Sequence, residues 1–256
     1  MAGVEGRVAL VTGAGRGIGR ATAHLLAERG ARVLGVARTE AELASAAAEI
    51  EMEFAVVDLA TAGGCEQAVA EAEARVGPVD ILVCNHGLGS AGERVLWQQS
   101  PEIWAHSLRV NLDAPFHLSR LVLAGMVARG WGRLVYTAST AAETAEPAAA
   151  AYNSAKAGLL GLMRSAAVDA GAHGVTANAV LPGWVRTEMA ERSARAEAAE
   201  RGVSPEEIWA ERAALYAPGR VVTPEEVAPA NAFPAGQRSS GHHGQASSAA
   251  LGARLS

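Results

Sequence analysis

Short apolar runs rich in β-branched residues alternate with longer, alanine-rich stretches along most of this 256-residue chain. The strand candidates are Arg7–Thr12, Arg32–Ala37, Phe54–Asp58, Asp80–Asn85, Arg133–Ala138 and Val175–Leu181. The helix candidates are Ile18–Arg29, Glu40–Glu51, Cys65–Val76, a long helix ending near Ala128, and Tyr152–Ala170. Nearly continuous apolar strands suit a parallel sheet that is covered by helices on both faces. The alternation therefore predicts an α/β fold with a doubly wound parallel sheet, in three α/β/α layers, and residues 1–256 as a single domain.

The composition excludes several classes of protein. The chain has 22 Lys and Arg against 27 Asp and Glu, without a basic stripe, so we expect no nucleic-acid partner. Half of the residues are hydrophobic and 19% are charged, which is typical of a globular protein. No run approaches about 18 consecutive apolar residues, and the first residues lack a signal-peptide pattern, so we expect no membrane association.

The cysteines and histidines give no sign of a metal site. Cys65 and Cys84 lie far apart and outside any CxxC spacing, which favours reduced thiols in a cytoplasmic protein. The seven histidines form no HExxH or similar pattern, so we expect no metal.

Two segments depart from the alternation. Residues from about 184 to 222 are too long for an ordinary connection, so we predict a partly helical flap over a site. Its large side chains, Trp184, Met189, Trp209 and Tyr216, either line a substrate pocket or pack the flap helices together. From about 229 to 256 the composition shifts to Pro, Gly, Ser and Ala, and the strand signal fails.

A glycine-rich turn, Thr12-Gly13-Ala14-Gly15-Arg16-Gly17-Ile18-Gly19, joins the first strand to the first helix. Glycines allow a tight turn and a close approach of phosphate to the backbone, and the helix N-terminus supplies N–H donors. In this strand–turn–helix context the motif favours a dinucleotide site over a plain turn, and it makes the predicted sheet Rossmann-type.

The residue after the second strand indicates which dinucleotide binds. NAD-preferring sites usually carry Asp or Glu there to hold the ribose 2′-hydroxyl, whereas this chain has Ala37-Arg38. Arg38 and Arg16 could pair with a 2′-phosphate. We therefore predict NADP(H) as the preferred cofactor, with NAD(H) possible, against the alternative that Arg38 is a solvated surface charge.

Three further residues form a pattern that suits acid–base chemistry. Tyr152 and Lys156 are four residues apart, so they share one face of a helix. An ammonium beside a phenol favours the phenolate and could bring the phenol toward working range. Lys156 is also the only lysine in the chain. Ser139, at the end of a predicted strand, could place its hydroxyl beside the same substrate oxygen.

These motifs resemble those of the short-chain dehydrogenase/reductase family, in particular the β-ketoacyl-carrier-protein reductases and polyketide ketoreductases. The resemblance covers about residues 5–228. It includes the TGxxxGxG turn, Ser139, the YxxxK pair, Asn111 in a VNL setting, and Pro182-Gly183 followed by Thr187. The TGxxxGxG spacing is similar to that of the single-domain branch of the family.

The resemblance implies a role for each of these residues. Tyr152 would protonate the carbonyl oxygen, and Ser139 would orient it. Lys156 would hold the nicotinamide ribose and depress the pKa of Tyr152, while Asn111 would sit at a helix irregularity and hold a water in a proton relay. The implied cofactor-binding residues are Gly13, Gly15, Arg16, Gly17, Ile18, Gly19, Arg38, Asp58, Leu59, Asn85, Gly87, Tyr152, Lys156, Pro182, Gly183 and Thr187.

The sequence differs from the family pattern at two places. The family's NNAG stretch reads Cys84-Asn85-His86-Gly87, where His86 either narrows the cofactor cleft or adds a hydrogen bond. After Val227 the family closes with a helix and a hydrophobic last strand, but the apolar strand between Gln245 and Ser256 is missing from this sequence. Pro234 would also limit a helix running through it.

The leading hypothesis is an NADPH-dependent carbonyl reductase acting on an oxoacyl or polyketide-type ketone, free or thioester-bound. The alternatives are an NAD-dependent secondary-alcohol dehydrogenase and, from a different class, a catalytically impaired cofactor-binding protein. The resemblance implies a homo-oligomer, either a tetramer or a dimer. Arg129 and Arg133 are candidates for contact with a carrier protein.

Overall fold

The computed structural model describes residues 3–252, apart from the side chain of Arg238. Within that range seven parallel strands form one sheet in the order β3-β2-β1-β4-β5-β6-β7. The strands are β1 Val8–Thr12, β2 Arg32–Ala37, β3 Met52–Val56, β4 Ile81–Cys84, β5 Gly132–Thr137, β6 Val175–Pro182 and β7 Ala246–Ala249. The helices are α1 Gly17–Glu28, α2 Glu40–Ala47, α3 Ala62–Arg75, α4 Pro101–Leu108, α5 Ala114–Ala128, α6 Ala150–Ala170, α7 Glu188–Arg201, α8 Pro205–Ala214 and α9 Pro224–Ala232.

The helices cover both faces of the sheet, as predicted. Alternate residues of β1 belong to separate core clusters, because successive side chains of a strand point to opposite faces. Leu10 packs in the cluster that includes α3, α5 and α6, whereas Val11 packs in the cluster that includes α1, α2 and α9. The predicted three-layer, Rossmann-like single domain is confirmed.

The predicted long helix before Ala128 is two helices with an irregular turn between them. One turn of π-helix, Arg109–Asp113, joins α4 to α5. The third strand begins at Met52, two residues before its predicted start, because Met52 pairs in register with Val33 of β2. Helix α9 ends at Ala232, before Pro234.

The sequence pattern left open whether the tail forms the last strand, and the structure shows that it does. Residues Ala246–Ala249 pair in parallel with β6 as β7, although their side chains are only Ala and Ser. Backbone groups make the pairing: the Ala179 N–H donates to the Gln245 carbonyl at 2.8 Å, and the Gly244 N–H to the Ala177 carbonyl at 2.9 Å. An edge strand needs hydrogen-bonding partners more than apolar side chains, so the hydrophobic pattern alone misses it.

In the described part of the chain, no helix is both long and apolar enough to cross a bilayer. Among the same residues, no cluster of His, Cys, Asp or Glu side chains is arranged to hold a metal ion.

Candidate active site

A cleft of about 1010 Å³ opens where the strands of the sheet end. From β1 the chain builds β2 and β3 on one side and then returns to build β4 onward on the other side. Doubly wound sheets bind ligands at such a reversal of strand order. All the predicted site residues except Gly19 and Asn111 line this cleft.

The glycine-rich turn lies at one end of the cleft and leads directly into α1. Gly13 and Gly17 have φ of +67° and +54°, a region that glycine adopts without strain. At Gly19 a Cβ would lie 2.1 Å from the Gly13 carbonyl oxygen, so only glycine allows the turn to close on the helix. The turn is a cradle that side chains would fill, and it fits a dinucleotide pyrophosphate.

Thr12 connects this turn to the end of β4. Its Oγ1 accepts hydrogen bonds from the Asn85 N–H at 2.9 Å and from the His86 N–H at 3.1 Å. The Asn85 Nδ2 donates to the Thr12 carbonyl at 3.2 Å, so Asn85 fastens the two strand ends together.

His86 adds a hydrogen bond at the site: its Nδ1 lies 2.7 Å from the Thr12 Oγ1. Its Nε2 is buried without a hydrogen-bond partner among the described residues. Burial, together with the positive charge of Lys156, lowers the pKa of His86 to about 4, so the ring is neutral at physiological pH.

Asn111 lies behind the cleft wall, inside the π-helical turn, where it is buried. Its Oδ1 accepts from the Leu88 N–H at 2.9 Å, and its Nδ2 donates to the Ser107 Oγ at 3.2 Å. A Cβ at Gly87 would lie 2.7 Å from the Asn111 Oδ1 and 3.6 Å from the Lys156 Nζ. Asn111 and Lys156 therefore approach each other next to Gly87, in the segment that follows β4.

Ser139 and Tyr152 meet across the cleft wall. Ser139 follows β5, and Tyr152 lies in the first turn of α6. Both side chains line the cleft, and the Ser139 hydroxyl acts to lower the pKa of the Tyr152 phenol, which favours the phenolate. The Ser139 hydroxyl also accepts from the Ala141 N–H at 3.1 Å, which fixes its position as the cap of a short 3₁₀ turn.

The expected depression of the Tyr152 pKa by Lys156 is wrong for this structure. Burial dominates and raises the pKa of Tyr152 to about 12, against the opposing effect of the Ser139 hydroxyl. The Lys156 Nζ lies 5.7 Å from the centre of the tyrosine ring and donates to the Thr137 carbonyl at 3.0 Å. Since Lys156 is itself buried, desolvation lowers its pKa to about 8.

Glu93 also belongs to this site, and no motif in the sequence indicates it. It is 5% exposed, and its carboxylate accepts from the Ala151 N–H at 2.8 Å and from the Tyr152 N–H at 3.0 Å. Ala149, at the N-cap of α6, has no side chain that could cap the helix. That missing cap was the only signal in the sequence. It did not identify Glu93 as the capping residue, because Glu93 lies 58 residues before Ala151.

The remaining predicted cofactor residues lie along both sides of the cleft. Asp58 is exposed and its Oδ1 accepts from the Ala60 N–H at 3.0 Å, while Leu59 is buried. Pro182 ends β6, and Gly183 packs against Tyr216 so closely that a Cβ would clash with its hydroxyl. Thr187 caps α7, and its Cγ2 lies 3.2 Å from the position of a Cβ on Gly17. The start of α7 therefore rests on the glycine-rich turn.

The segment predicted as a flap contains α7 and α8, and a bridge between Val185 and Val222 joins its ends. The sequence left open whether the large side chains of this segment line a pocket or pack the flap helices together, and the structure shows both roles. Trp184 and Met189 line the cleft, whereas Trp209 is buried between α7 and α8.

Arg133 is not a surface residue, which contradicts its proposed contact with a carrier protein. It is 3% exposed, and its guanidinium donates to the carbonyls of Gly132, Gly174 and Gly236. These bonds hold the far ends of β5 and β6, so Arg133 has a structural role.

The parallel sheet, the glycine cradle and the adjoining Ser139, Tyr152 and Lys156 define an oxidoreductase with a Rossmann-type nucleotide site. The chain belongs to the short chain dehydrogenase family, whose model matches residues 7–198.

Two curated relatives match almost all of the chain. It is 35% identical over 237 residues to the 3-oxoacyl-(acyl-carrier-protein) reductase FabG of Vibrio cholerae, covering 90% of each chain. It is 34% identical over 230 residues to the D-beta-hydroxybutyrate dehydrogenase of Cupriavidus necator, covering 88% of each. A solved structure of an actinorhodin polyketide ketoreductase variant with NADPH superimposes with a TM-score of 0.93, at 34% identity over the full length of both chains.

Proposed function

We propose that this protein is an NADPH-dependent carbonyl reductase that acts on an oxoacyl or polyketide-type ketone, with Tyr152 as the proton donor. The observation that carries the proposal is that Ser139, Tyr152 and the buried Lys156 line one cleft, with the Lys156 Nζ 5.7 Å from the centre of the Tyr152 ring. The ketoreductases among the relatives and the NADPH in the actinorhodin structure support it.

The hydride comes from the nicotinamide cofactor, and the protein supplies position and the proton. The glycine-rich turn and the N-terminus of α1 would hold the pyrophosphate, and Asp58, Leu59, Asn85 and Gly87 would surround the adenosine. Pro182, Gly183 and Thr187 would hold the nicotinamide side. Lys156 would bind the ribose hydroxyls with its buried ammonium.

Tyr152 is suited to donate a proton to the substrate oxygen. Because burial raises its pKa to about 12, the phenol keeps its proton at neutral pH. Ser139 would hold the same oxygen and so direct the proton to it. In this scheme Asn111 links the cleft to the proton relay that restores the phenol through Lys156.

The proposed substrate cavity is the part of the cleft between Ser139 and α7. Trp184, Met189 and Ile103 give it an apolar wall. Such a wall suits a bulky or acyl-chain ketone, including one bound as a thioester. Carrier-protein contact stays part of the proposal through Arg129, which is partly exposed, and no longer through Arg133.

We further propose that the protein acts as a cytoplasmic homo-oligomer. Both cysteines are buried free thiols, which suits a reducing compartment. Phe116 on α5 is 46% exposed and Val168 on α6 is 83% exposed, and such apolar side chains favour association.

An NAD-dependent secondary-alcohol dehydrogenase is the second candidate, because carboxylates already neutralise Arg16 in the cleft. The third hypothesis, a catalytically impaired cofactor-binding protein, loses its main support because the tail completes the sheet as β7.

The test is NADPH consumption against a panel of oxoacyl thioesters, cyclic ketones and diketones, with Tyr152→Phe as the matched control. We expect turnover of at least one class and a loss of roughly 100-fold or more in kcat for the variant, because the proton donor is removed. Equal turnover by Tyr152→Phe would contradict the mechanism, and faster turnover with NADH would contradict the cofactor preference.

A further inference from the structure

The guanidinium of Arg16 is held between two carboxylates in the cofactor cleft. Its Nη1 lies 2.7 Å from the Glu42 Oε1 and 3.0 Å from the Glu188 Oε2. Glu42 belongs to α2, and Glu188 is the first residue of α7. Glu188 also pairs with Arg192 one turn further along α7. One chain of ion pairs thus joins α2, the glycine-rich turn and the flap.

This cluster occupies the end of the cleft where a 2′-phosphate would be bound. Arg16, Glu42 and Glu188 line the cleft together with Arg38, which is exposed at the end of β2. Glu42 is packed closely against the turn, since a Cβ at Gly15 would lie 2.9 Å from the Glu42 Cβ. Within the described part of the chain, the Arg38 side chain lines the cleft without an ion-pair partner. The Arg16 side chain, by contrast, is already paired.

The two carboxylates differ in how strongly solvent screens them. The Glu42 side chain is 28% exposed, against 52% for Glu188. A phosphate monoester carries about two negative charges at neutral pH. Both carboxylates are bound by the same nitrogen, Nη1, so Arg16 meets the phosphate with its charge already shared, and the nearby Glu42 charge repels the phosphate.

We propose that Glu42, assisted by Glu188, sets the coenzyme selectivity of this protein by competing with the 2′-phosphate for Arg16. The carboxylates weaken the binding of NADPH and leave that of NADH unaffected, because NADH has no group that needs Arg16. The inference rests on the proposed function, which places the cofactor in this cleft.

The experiment is a fluorescence titration of the full chain with NADPH and with NADH, without substrate. For Glu42→Gln we expect the Kd for NADPH to fall about tenfold, since one repulsive charge is removed and Arg16 is released. The Kd for NADH should change by less than about twofold. For Glu188→Gln the gain should be smaller, about twofold, because that carboxylate is more exposed.

Glu40→Gln is the matched control. Glu40 is exposed on the same helix, two residues before Glu42, and does not line the cleft. The substitution Glu40→Gln removes the same charge from α2 at a position outside the cleft. The Kd values for NADPH and for NADH should therefore both stay unchanged. A gain with Glu40→Gln equal to that of Glu42→Gln would overturn the proposal, since it would reflect net charge alone.

A second set of titrations, in the Arg16→Gln variant, separates competition for Arg16 from direct repulsion of the 2′-phosphate by Glu42. In Arg16→Gln the gain in NADPH affinity from Glu42→Gln should shrink to the part that comes from direct repulsion, as a double-mutant cycle shows for coupled residues. An undiminished gain there would overturn the competition, as would an unchanged NADPH Kd in Glu42→Gln itself. A wild-type protein that prefers NADH, with Glu42→Gln still gaining NADPH affinity, would contradict the proposed cofactor and support this inference.

Discussion

Burial, more than neighbouring charge, sets the pKa values of Tyr152 and Lys156, the two central side chains of the candidate site. Tyr152 and Lys156 lie where their charged forms are poorly solvated, so the phenol pKa rises to about 12 and the amine pKa falls to about 8. Their spacing of four residues predicted the shared helix face, and α6 contains both. It did not predict the sign of the phenol shift, because that sign depends on desolvation, which the sequence does not report.

The pKa of Lys156 leads to a pH dependence of cofactor binding. Below about pH 8 the amine is an ammonium, and above it the group is neutral, since burial has lowered the pKa from 10.5. We expect the affinity for NADPH to fall as the pH rises through 8, measured by fluorescence titration from about pH 6 to about pH 10.

Lys156→Arg is the comparison variant for this prediction. A guanidinium keeps its charge over the whole range, so the pH dependence should disappear. The variant should also lose most of its activity, because a planar guanidinium cannot replace an ammonium in this buried position. Near-normal turnover by Lys156→Arg would contradict the assigned role of the lysine.

The hydrogen bonds of Glu93 to the start of α6 lead to a prediction about kcat. In Glu93→Gln one amide oxygen remains as an acceptor for the two N–H groups of α6, so one buried donor is left unsatisfied, at about 1–3 kcal/mol. Because the Tyr152 N–H is one of the two, we expect kcat to fall roughly tenfold while the KM for NADPH stays unchanged. The measurement is steady-state kinetics on the best ketone of the panel.

The pH profile separates positioning by Glu93 from a purely structural effect. Burial raises the pKa of Glu93, so wild-type kcat should fall on the acid side at a higher pH than for an ordinary glutamate, and Glu93→Gln should lack that decline. Thr223→Ala removes the cap of α9 instead, and it should lower stability without changing kcat. Equal loss of kcat in both variants would show that Glu93 only stabilises the fold.

Among the elements, the last strand was the hardest to predict, whereas the π-helical turn was expected only from the resemblance, which implied a helix irregularity at Asn111. The apolar pattern runs through Arg109–Asp113 without a break, because one extra residue in a helical turn leaves the composition unchanged. β7 has no apolar pattern of its own. Its position depends on hydrogen bonds from β6, which no local pattern records.

Asn178 is the side chain that fastens the tail to the sheet. It is 1% exposed, its Nδ2 donates to the His242 carbonyl at 2.7 Å, and its Oδ1 accepts from the Gln245 N–H at 3.1 Å. We expect Asn178→Ala to lower the free energy of unfolding by about 2 kcal/mol, measured by denaturant unfolding, since both tail groups lose their partner.

Gln245→Ala is the control for this element. The Gln245 side chain is exposed and, among the described residues, donates to the nearby His243 carbonyl alone, at 3.0 Å. Its removal should cost less than about 0.5 kcal/mol. If both variants were equally stable, the tail would not depend on Asn178.

At the scale of the whole molecule, the site depends on the order of the strands. Residues from β1, β4, β5, β6 and the segments that follow them are far apart in sequence, and the parallel sheet brings their carboxyl ends to one edge. The start of α7 then packs on the turn, where Thr187 approaches Gly17 and Glu188 pairs with Arg16. These contacts join the glycine-rich turn to the segment that carries Trp184 and Met189.

The fold class, six of the strands, the glycine-rich turn and the pattern of Ser139, Tyr152 and Lys156 could be predicted before folding, because each depends on residues close together in the chain or on the period of apolar side chains. The folded chain alone shows the pairing of Arg16 with Glu42 and Glu188, the cap that Glu93 provides, the burial of Arg133 and the pairing of β7. Those features join residues from distant parts of the chain, and their energies depend on distance and burial, which exist only once the chain has folded.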